Sequence, residues 1–205
     1  MRMLILGATG RVGSVMTKLA IEDGHDVTVL VRDPSKVSEH ENLTILQGDA
    51  CRAEDIQRAV TRNDVVVSAL NTGGATTLSD SIPLIIEAME NSGIRRVVTI
   101  GTAGILQSRA EPHLLRYQSS ESKRKLTRAA EEHEIVYQQL QASALDWTIV
   151  CPTYLPDGEA VGNYRTEADR LPEGGDRISV GDTAEFAYRE IGERQYVGAR
   201  VGIAY

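Results

Sequence analysis

The sequence has few of the features that mark secreted, metal-binding or nucleic-acid-binding proteins. Its 205 residues include two cysteines, Cys51 and Cys151, whose spacing matches no metal-binding or redox motif. We expect both side chains to be buried, and their free thiols suit a reducing compartment. The strand pattern leaves open whether Cys151 points into a sheet or toward a pocket. The formal net charge is −7 and the basic residues are scattered, so we expect no nucleic-acid partner.

Long apolar runs are also missing. The first apolar run covers residues 3–6, which is too short for a signal-peptide core or a membrane span. We therefore expect a cytoplasmic location and no membrane partner. The sequence shows no internal repeat, low-complexity tract or linker, so its length predicts one domain over 1–205, with a core at 1–151 and a small substrate-side and C-terminal part at 152–205.

What the sequence does contain is a glycine-rich corner near its start. Gly7, Gly10 and Gly13 follow the apolar run directly, and a helical pattern covers 12–20. In dinucleotide-binding folds the first glycine turns the chain, the second lets amides approach a pyrophosphate, and the third lets the helix pack on its strand. The G-x-x-G-x-x-G spacing after a first strand therefore predicts a nicotinamide dinucleotide site. The alternative is a tight turn without a ligand.

Apolar, β-branched segments alternate with helical patterns along the chain. Further strands are predicted at 26–31, 43–47, 64–70, 96–100 and 146–151, near 163–166, and at 199–205. Helices are predicted within 49–60, from 81 to 93 with Pro83 in the first turn, from 120 to 144, and from a capped start at 182–185 to residue 191. Nearly continuous apolar strands linked by helices predict a Rossmann-type, doubly wound parallel sheet with three α/β/α layers.

Charged residues follow two of the predicted strands, at the edge where such sheets bind ligands. Arg32 follows the second strand and Lys36 comes four residues later; a guanidinium suits the 2′-phosphate of NADP. Asp33 could bond the ribose instead, and a solvated turn is a third possibility. We predict that NADP(H) is preferred over NAD(H). Asp49 could accept a hydrogen bond from adenine or cap the next helix, and the cap is favoured.

Candidate side chains for the chemistry follow the fifth strand and lie on the predicted helix 120–144. Thr102 offers a hydroxyl where a nicotinamide ring would lie, unless it bonds its own backbone. His133 and Tyr137 lie one turn apart, and either could transfer a proton; alternatively, both are core residues with satisfied polar tips. Pro152 would shape a wall of the pocket. The predicted inward stripe consists of Leu126, Ala130, His133, Tyr137, Leu140 and Ala144.

Several motifs together resemble the atypical short-chain dehydrogenase/reductases. They are Gly7-Ala8-Thr9-Gly10-Arg11-Val12-Gly13, Val31-Arg32-Asp33-Pro34-Ser35-Lys36, Gly48-Asp49, Leu145-Asp146-Trp147-Thr148-Ile149-Val150 with Pro152, and the closing Tyr196-Val197-Gly198. The sequence is most similar to the group of NAD(P)H-binding flavin reductases and biliverdin-IXβ reductases, to which nitrogen-metabolite-repression regulators are related. The resemblance covers nearly the whole chain.

The resemblance implies a role for each matched position. It implies that Thr9, Gly10, Arg11 and Val12 bind the pyrophosphate, Arg32 and Lys36 the 2′-phosphate, Asp49 and Ala50 the adenine, and Ala69, Leu70 and Asn71 the adenosine side. Thr102 matches a serine or threonine near the nicotinamide, and His133 matches a histidine of the flavin-reductase branch.

One departure from the wider superfamily concerns proton transfer. Typical members pair a tyrosine with a lysine four residues later, whereas Tyr137 is followed by Gln141, so the cation that lowers the tyrosine pKa is missing. The resemblance implies that flavin and tetrapyrrole acceptors do not need this pair, because they can collect the proton from solvent.

We therefore predict an NADPH-dependent reductase that transfers hydride to a planar small-molecule acceptor, such as a flavin or quinone. Its pocket would be formed by Thr102, residues 105–118, His133, Tyr137 and Tyr154. The alternative is a non-catalytic NADP(H)-sensing regulator, and a weaker third possibility is an isomerase or epimerase-like protein. The sequence leaves monomer and dimer both open.

Overall fold

Eight strands form one sheet in the computed structural model, which describes residues 1–73, 75–122 and 126–205. The strands are β1 (Arg2–Leu6), β2 (Asp26–Val31), β3 (Leu43–Gln47), β4 (Val65–Ser68), β5 (Arg96–Ile100), β6 (Asp146–Pro152), β7 (Arg165–Ala168) and β8 (Ala199–Ala204). Their order is β3-β2-β1-β4-β5-β6-β8-β7. All neighbouring pairs are parallel except β7 and β8.

Five helices cover the sheet within the same ranges. They are α1 (Arg11–Glu22), α2 (Ala53–Val60), α3 (Thr77–Asn91), α4 (Arg128–Ala142) and α5 (Val180–Glu193). Helices α1 and α5 pack on one face, and α2, α3 and α4 on the other. This confirms the predicted Rossmann-type arrangement of three layers. No helix in the described part of the chain is both long and apolar enough to cross a membrane.

Strand β1 shows why the sequences of the strands are apolar at nearly every position. Leu4 and Leu6 belong to the core beneath α2, α3 and α4, whereas Met3 and Ile5 belong to the core beneath α1 and α5. All four side chains are buried. Because successive residues point to opposite faces and both faces are covered by helices, polar alternation is absent.

The strand order reverses next to β1, which pairs with β2 on one side and β4 on the other. Ligands of doubly wound sheets bind at such a reversal, outside the carboxyl ends of the strands. Residues 152–205 continue the same sheet beyond β6 with β8 and β7.

The predicted helix 120–144 is too long. Helix α4 begins at Arg128, and residues 123–125 of the prediction lie outside the described residues. Ahead of them, the amide of Ser120 donates to Glu111 Oε2 at 2.6 Å and the amide of Glu121 to Ser119 Oγ at 3.3 Å. Such side-chain bonds replace the helical ones.

The predicted inward stripe of this helix is only partly correct, because Leu140 and Tyr137 contact the core as predicted but Glu132 and Val136 are buried with them. The buried residues of α4 are Glu132, Val136 and Leu140, and Leu126 lies before the helix with 88% of its side chain exposed. Glu132 accepts hydrogen bonds from the amide and hydroxyl of Ser79, both at 3.1 Å. The inner face of α4 therefore includes a carboxylate that binds the first turn of α3. A search for apolar periodicity could not identify this charged residue as buried.

Two predicted helix starts are wrong by a few residues. Helix α3 begins at Thr77, so Pro83 lies inside it rather than in its first turn. The Glu132 carboxylate satisfies an amide of the earlier turn, which explains the earlier start. Helix α5 begins at Val180 because Ser179 is its N-cap and accepts a hydrogen bond from the Asp182 amide at 3.0 Å.

Candidate functional site

The glycine corner is built from backbone in direct contact with backbone. Gly7 has φ of +80°, and a Cβ there would lie 2.4 Å from the carbonyl oxygen of Ala69. A Cβ on Gly13 would lie 2.2 Å from the carbonyl oxygen of Gly7. The end of β1, the start of α1 and the end of β4 therefore meet at distances that only glycine permits.

The corner presents the amino end of α1 without a side-chain cap. Gly10 is the N-cap residue and provides no side-chain hydrogen bond. The amides of the first helical turn therefore remain available, and together with the helix dipole they suit an anion. Thr9 and Arg11 are exposed at this end, whereas Val12 is buried beneath it. The residues present fit the diphosphate of a dinucleotide.

The Arg11 side chain bridges the crevice. Its Nη1 donates to the carbonyl oxygen of Leu155 at 2.9 Å and to Asp157 Oδ1 at 3.0 Å. The start of α1 is thus linked to the segment that follows β6, on the other side of the reversal in strand order.

Arg32 is an exposed side chain just beyond β2. Its carbonyl accepts a hydrogen bond from Gln47, but no described residue pairs with its guanidinium. Asp33 Oδ1 accepts from the Ser35 hydroxyl at 2.7 Å and the Ser35 amide at 3.2 Å, and these bonds lower the Asp33 pKa. Lys36 Nζ lies 3.9 Å from Asp33 Oδ2. Asp33 is therefore engaged in its own turn, while Arg32 is open to a ligand.

The predicted adenine and adenosine residues lie after β3 and β4. Asp49 Oδ1 accepts a hydrogen bond from the Cys51 amide at 3.0 Å. The favoured prediction that Asp49 caps α2 is wrong, because Arg52 is the N-cap residue and Asp49 closes the preceding turn. Ala50 is half-buried, as are Ala69 and Leu70.

Asn71 closes a turn of its own beyond β4. Its Oδ1 accepts from the Gly73 amide at 2.8 Å, and Gly74 lies outside the described residues. The exposed amide group of Asn71 is therefore held close to the end of β4.

A cavity of about 370 Å³ opens beside the carboxyl ends of β5 and β6. That volume falls in the range of small-molecule sites. The lining residues come from the segments after these strands, from the approach to α4 and its first turn, and from the loop before α5: Thr102, Ala103, Gly104, Arg116, Tyr117, Glu121, Ser122, Leu126, Thr127, Ala129, Ala130, Thr153, Tyr154 and Asp176. The cavity thus lies at the same sheet edge as the glycine corner.

Thr102 lines this cavity as predicted and also closes its own turn. Its Oγ1 accepts from the Gly104 amide at 3.3 Å, which leaves the hydroxyl proton free for another acceptor. Pro152 ends β6 and is buried. Cys151 is fully buried in the core beneath α2, α3 and α4, and this burial raises its pKa to about 12. The thiol therefore faces the core, not the cavity.

His133 and Tyr137 are not among the cavity-lining residues, contrary to the predicted pocket. Desolvation lowers the His133 pKa to about 4, so the ring is neutral at pH 7. The Tyr137 ring packs edge-on against Trp147 and carries the Arg200 guanidinium 4.2 Å from its centroid, and its hydroxyl accepts from Gln141 at 3.1 Å. Tyr137 therefore packs against the core with its hydroxyl bonded, which is the alternative that the sequence left open for it.

Arg116 and Tyr117 occupy the place expected for that pair. Tyr117 donates its hydroxyl proton to Glu134 Oε2 at 2.5 Å, and Gln118 Nε2 donates to the Tyr117 oxygen at 3.1 Å. Desolvation, followed by the bond to Glu134, raises the Tyr117 pKa. The predicted segment 105–118 includes both residues, but no sequence pattern distinguishes them from their neighbours.

Metal chemistry finds no support in the side-chain geometry. No group of three or more His, Cys, Asp or Glu side chains within the described ranges could hold a metal ion.

Comparison with protein families gives one match that spans most of the chain. The model of a family described as NAD(P)H-binding matches residues 7–194. Two curated relatives illustrate the range of similarity. The uncharacterized protein YwnB of Bacillus subtilis is 28% identical over 98% of this chain and 96% of its own length. A probable pinoresinol-lariciresinol reductase of Arabidopsis thaliana is 38% identical, but over 34% of this chain and 24% of its own length.

A solved structure supports the fold independently. The protein SP1627 of Streptococcus pneumoniae, named provisionally as an NADH-flavin reductase, superposes with a TM-score of 0.85 over 100% of this chain and 99% of its own. The two sequences are 22% identical, so this likeness concerns the fold alone.

Proposed function

We propose that this chain, which belongs to the NAD(P)H-binding family, is an NADPH-dependent reductase that passes hydride to a planar acceptor such as a flavin or quinone. The family match covers residues 7–194 and shows a protein of an NAD(P)H-binding family, in agreement with the resemblance to atypical short-chain reductases. Together with relatives and solved structures that are named as reductases or oxidoreductases, it supports the prediction of an NAD(P)H-dependent oxidoreductase. The choice of NADPH and the class of acceptor are the proposal.

The observation that carries the proposal is the combination of two features at one sheet edge. At the glycine corner, the backbones of β1, α1 and β4 pack so closely that a Cβ at Gly7 or Gly13 would overlap them, and the uncapped amino end of α1 is left open to an anion. The cavity beside Thr102 lies two strands away, beyond the ends of β5 and β6. A dinucleotide that lies along the carboxyl edge of the sheet from this corner would bring its nicotinamide to that cavity.

The side chain of Arg32 supports the preference for NADPH. Its exposed guanidinium has no partner among the described residues, whereas an oxygen of Asp33 is already bonded to Ser35. A free cation and an occupied carboxylate suit a 2′-phosphate better than a ribose hydroxyl.

The chain's own residues would mainly bind and orient. The nicotinamide, when bound, supplies the hydride. Amides at the start of α1 would hold the diphosphate, and Pro152 would bound the nicotinamide side. The Thr102 hydroxyl has a free proton that can orient the amide of the cofactor or the acceptor. The neutral His133 is outside the cavity lining, which agrees with a proton taken from solvent.

A turnover assay tests the proposal. Purified protein is mixed with NADPH or NADH and with FMN, riboflavin or menadione, and oxidation of the dinucleotide is followed by absorbance. We expect oxidation that depends on both protein and acceptor and is faster with NADPH. Calorimetric binding of NADPH without turnover of any acceptor would favour the sensor function instead. Conversion of a sugar nucleotide without NADPH consumption would favour an epimerase.

A further inference from the structure

Arg116 differs from the other cavity residues because hydrogen bonds hold its backbone in place, whereas part of its guanidinium has no hydrogen-bond partner among the described residues. The Arg116 amide donates to the carbonyl of Leu106 at 2.8 Å, and its carbonyl accepts from the Ser119 amide at 3.3 Å. The side chain is 22% exposed. It lies in the wall between the main cavity and a second cavity of about 220 Å³.

Two nitrogens of this guanidinium have no hydrogen-bond acceptor. Nε and Nη1 of Arg116 are both buried and unpartnered among the described residues. The nearest carboxylate oxygen, Oε1 of Glu121, is 4.0 Å from Nε, beyond hydrogen-bond length. A buried donor without an acceptor is unfavourable and calls for an explanation.

Glu121 does not compensate because other donors already hold it. Desolvation raises the Glu121 pKa, but hydrogen bonds from the Ser108 side chain and the Arg109 amide lower it overall, with smaller contributions from the charge of Arg116 and the Ala110 amide. Desolvation also lowers the Arg116 pKa, with Glu121 opposing it. The guanidinium therefore remains a partly buried cation whose charge is incompletely balanced.

Two other arginines, Arg109 and Arg200, differ from Arg116 because their guanidinium groups donate hydrogen bonds to described acceptors. Arg109 donates to Glu167 and to the Leu171 carbonyl. Arg200 donates to Asp169 at 3.0 Å and to the carbonyl of Ile105 at 2.5 Å. Both are anchored, whereas Arg116, which alone of the three lines the main cavity, is not.

We propose that Arg116 binds an acidic group of the hydride acceptor, so that the acceptor is a planar molecule carrying a phosphate or carboxylate. This rests on the proposed reductase function, since the cavity is the one beside Thr102. Because Nε and Nη1 have no hydrogen bond to break among the described residues, the guanidinium can turn these donors toward an incoming anion. Among the described residues, the other charged side chains that line the cavity are Glu121, which is already bonded, and Asp176, which is exposed to solvent.

Matched pairs of acceptors test this proposal. FMN and riboflavin share one ring system and differ by a phosphate; naphthoquinone sulfonate and menadione form a second pair. Equilibrium binding by fluorescence or absorbance and kcat/KM with NADPH are measured for each. We expect the wild type to prefer the anionic member of at least one pair by about tenfold. Arg116→Met should abolish that preference while leaving binding of the neutral member unchanged.

Two further variants separate charge recognition from folding. Arg109→Met removes the same charge nearby, but from a guanidinium that is already bonded, so the preference should remain while the melting temperature falls. Arg116→Met should melt no lower than the wild type, because it removes unsatisfied donors. Should it fail to fold, Arg116→Lys replaces it: an ammonium without the planar fork should keep only part of the preference.

The outcomes keep the two proposals apart. Equal binding of both members of each pair by the wild type, or an equal loss for both in Arg116→Met, would overturn the acidic-group proposal. If no acceptor is turned over with either dinucleotide, the reductase function fails, yet an Arg116-dependent preference in equilibrium binding would still establish the anion site.

Discussion

The glycine corner and the cavity beside Thr102 lie at the same edge of the sheet but are built in opposite ways. At the corner, backbone meets backbone: a Cβ on Gly13 would lie 2.2 Å from the carbonyl of Gly7. At the cavity, side chains from segments distant in sequence, such as Thr102, Arg116 and Tyr154, form the wall. The corner therefore tolerates no side chain at its close-packed glycines, and its binding groups are backbone amides. The cavity, in contrast, can change which ligand it binds when a single lining side chain is exchanged.

Substitution of Gly13 by alanine is the strongest way to break the corner. The new methyl group would overlap backbone atoms that cannot move aside, so we expect a loss of about 3 kcal/mol or more in the free energy of unfolding and loss of dinucleotide binding. Urea unfolding and calorimetry with NADPH measure the two effects.

Gly192 provides the matched control. It lies in α5, and a Cβ there would meet no atom within 4 Å. Gly192→Ala should therefore stabilise the protein by roughly 0.5 kcal/mol through helix propensity. If Gly13→Ala behaved like Gly192→Ala, the close packing of strand, helix and β4 would be refuted.

Charge reversal at Arg32 tests the side-chain part of the cofactor site. If the guanidinium pairs with the 2′-phosphate, Arg32→Glu should weaken NADPH binding by about 100-fold and NADH binding by less than about threefold. Titration calorimetry with both dinucleotides measures this difference. Lys18→Glu makes the same charge change on an exposed position of α1, and it should affect neither ligand. Equal losses for both ligands in Arg32→Glu would reject the assignment.

The different construction of the two regions explains what the sequence could predict. Strand β5 was predicted with its observed bounds, and the corner was predicted from three glycines, because both depend on local residue types. The start and the full inner face of α4 were not, because residues before the helix make local bonds such as those of Ser120 and Glu121, and because the inner face includes the buried, hydrogen-bonded Glu132. These are contacts between residues whose types carry no periodic signal.

Arg116 could not be singled out from the sequence for the same reason. Its distinction is that two buried nitrogens of a partly buried guanidinium have no acceptor within the described part of the chain, and that depends on how Glu121 is bonded to other donors. Local patterns report which residues are apolar or conformationally free, and they do not report which polar group remains unsatisfied after packing.

The pH dependence of the free energy of unfolding tests whether α4 buries the ring of His133. The native His133 pKa of about 4 lies below the usual value of 6.5, so the unfolded chain binds more protons between these values. The free energy of unfolding therefore has its full value above pH 6.5 and decreases as the pH falls toward 4, by about 2.5 kcal/mol at pH 4.5. His133→Gln should remove this part of the pH dependence, measured by urea unfolding at pH 7 and 4.5. Identical pH dependence in both proteins would contradict the burial of the ring.

The smallest effect concerns the link between the two regions, from Arg11 to Asp157. This pair is exposed, with 57% and 82% of the two side chains accessible, so it adds little stability. Its loss in Asp157→Ala would free the guanidinium for the diphosphate, and both NADPH and NADH should bind up to about threefold more tightly. Arg11→Ala should weaken both by about tenfold.

The double variant decides whether these effects share one cause. If Asp157 acts by withholding Arg11 from the ligand, Asp157→Ala should have no effect on either dinucleotide once Arg11 is alanine. Calorimetry on the four proteins of this cycle gives the coupling directly. If Asp157→Ala instead tightened the binding of NADPH alone, the Arg11 guanidinium would lie near the 2′-phosphate. Arg11 would then share the role of Arg32 and would not bind the diphosphate.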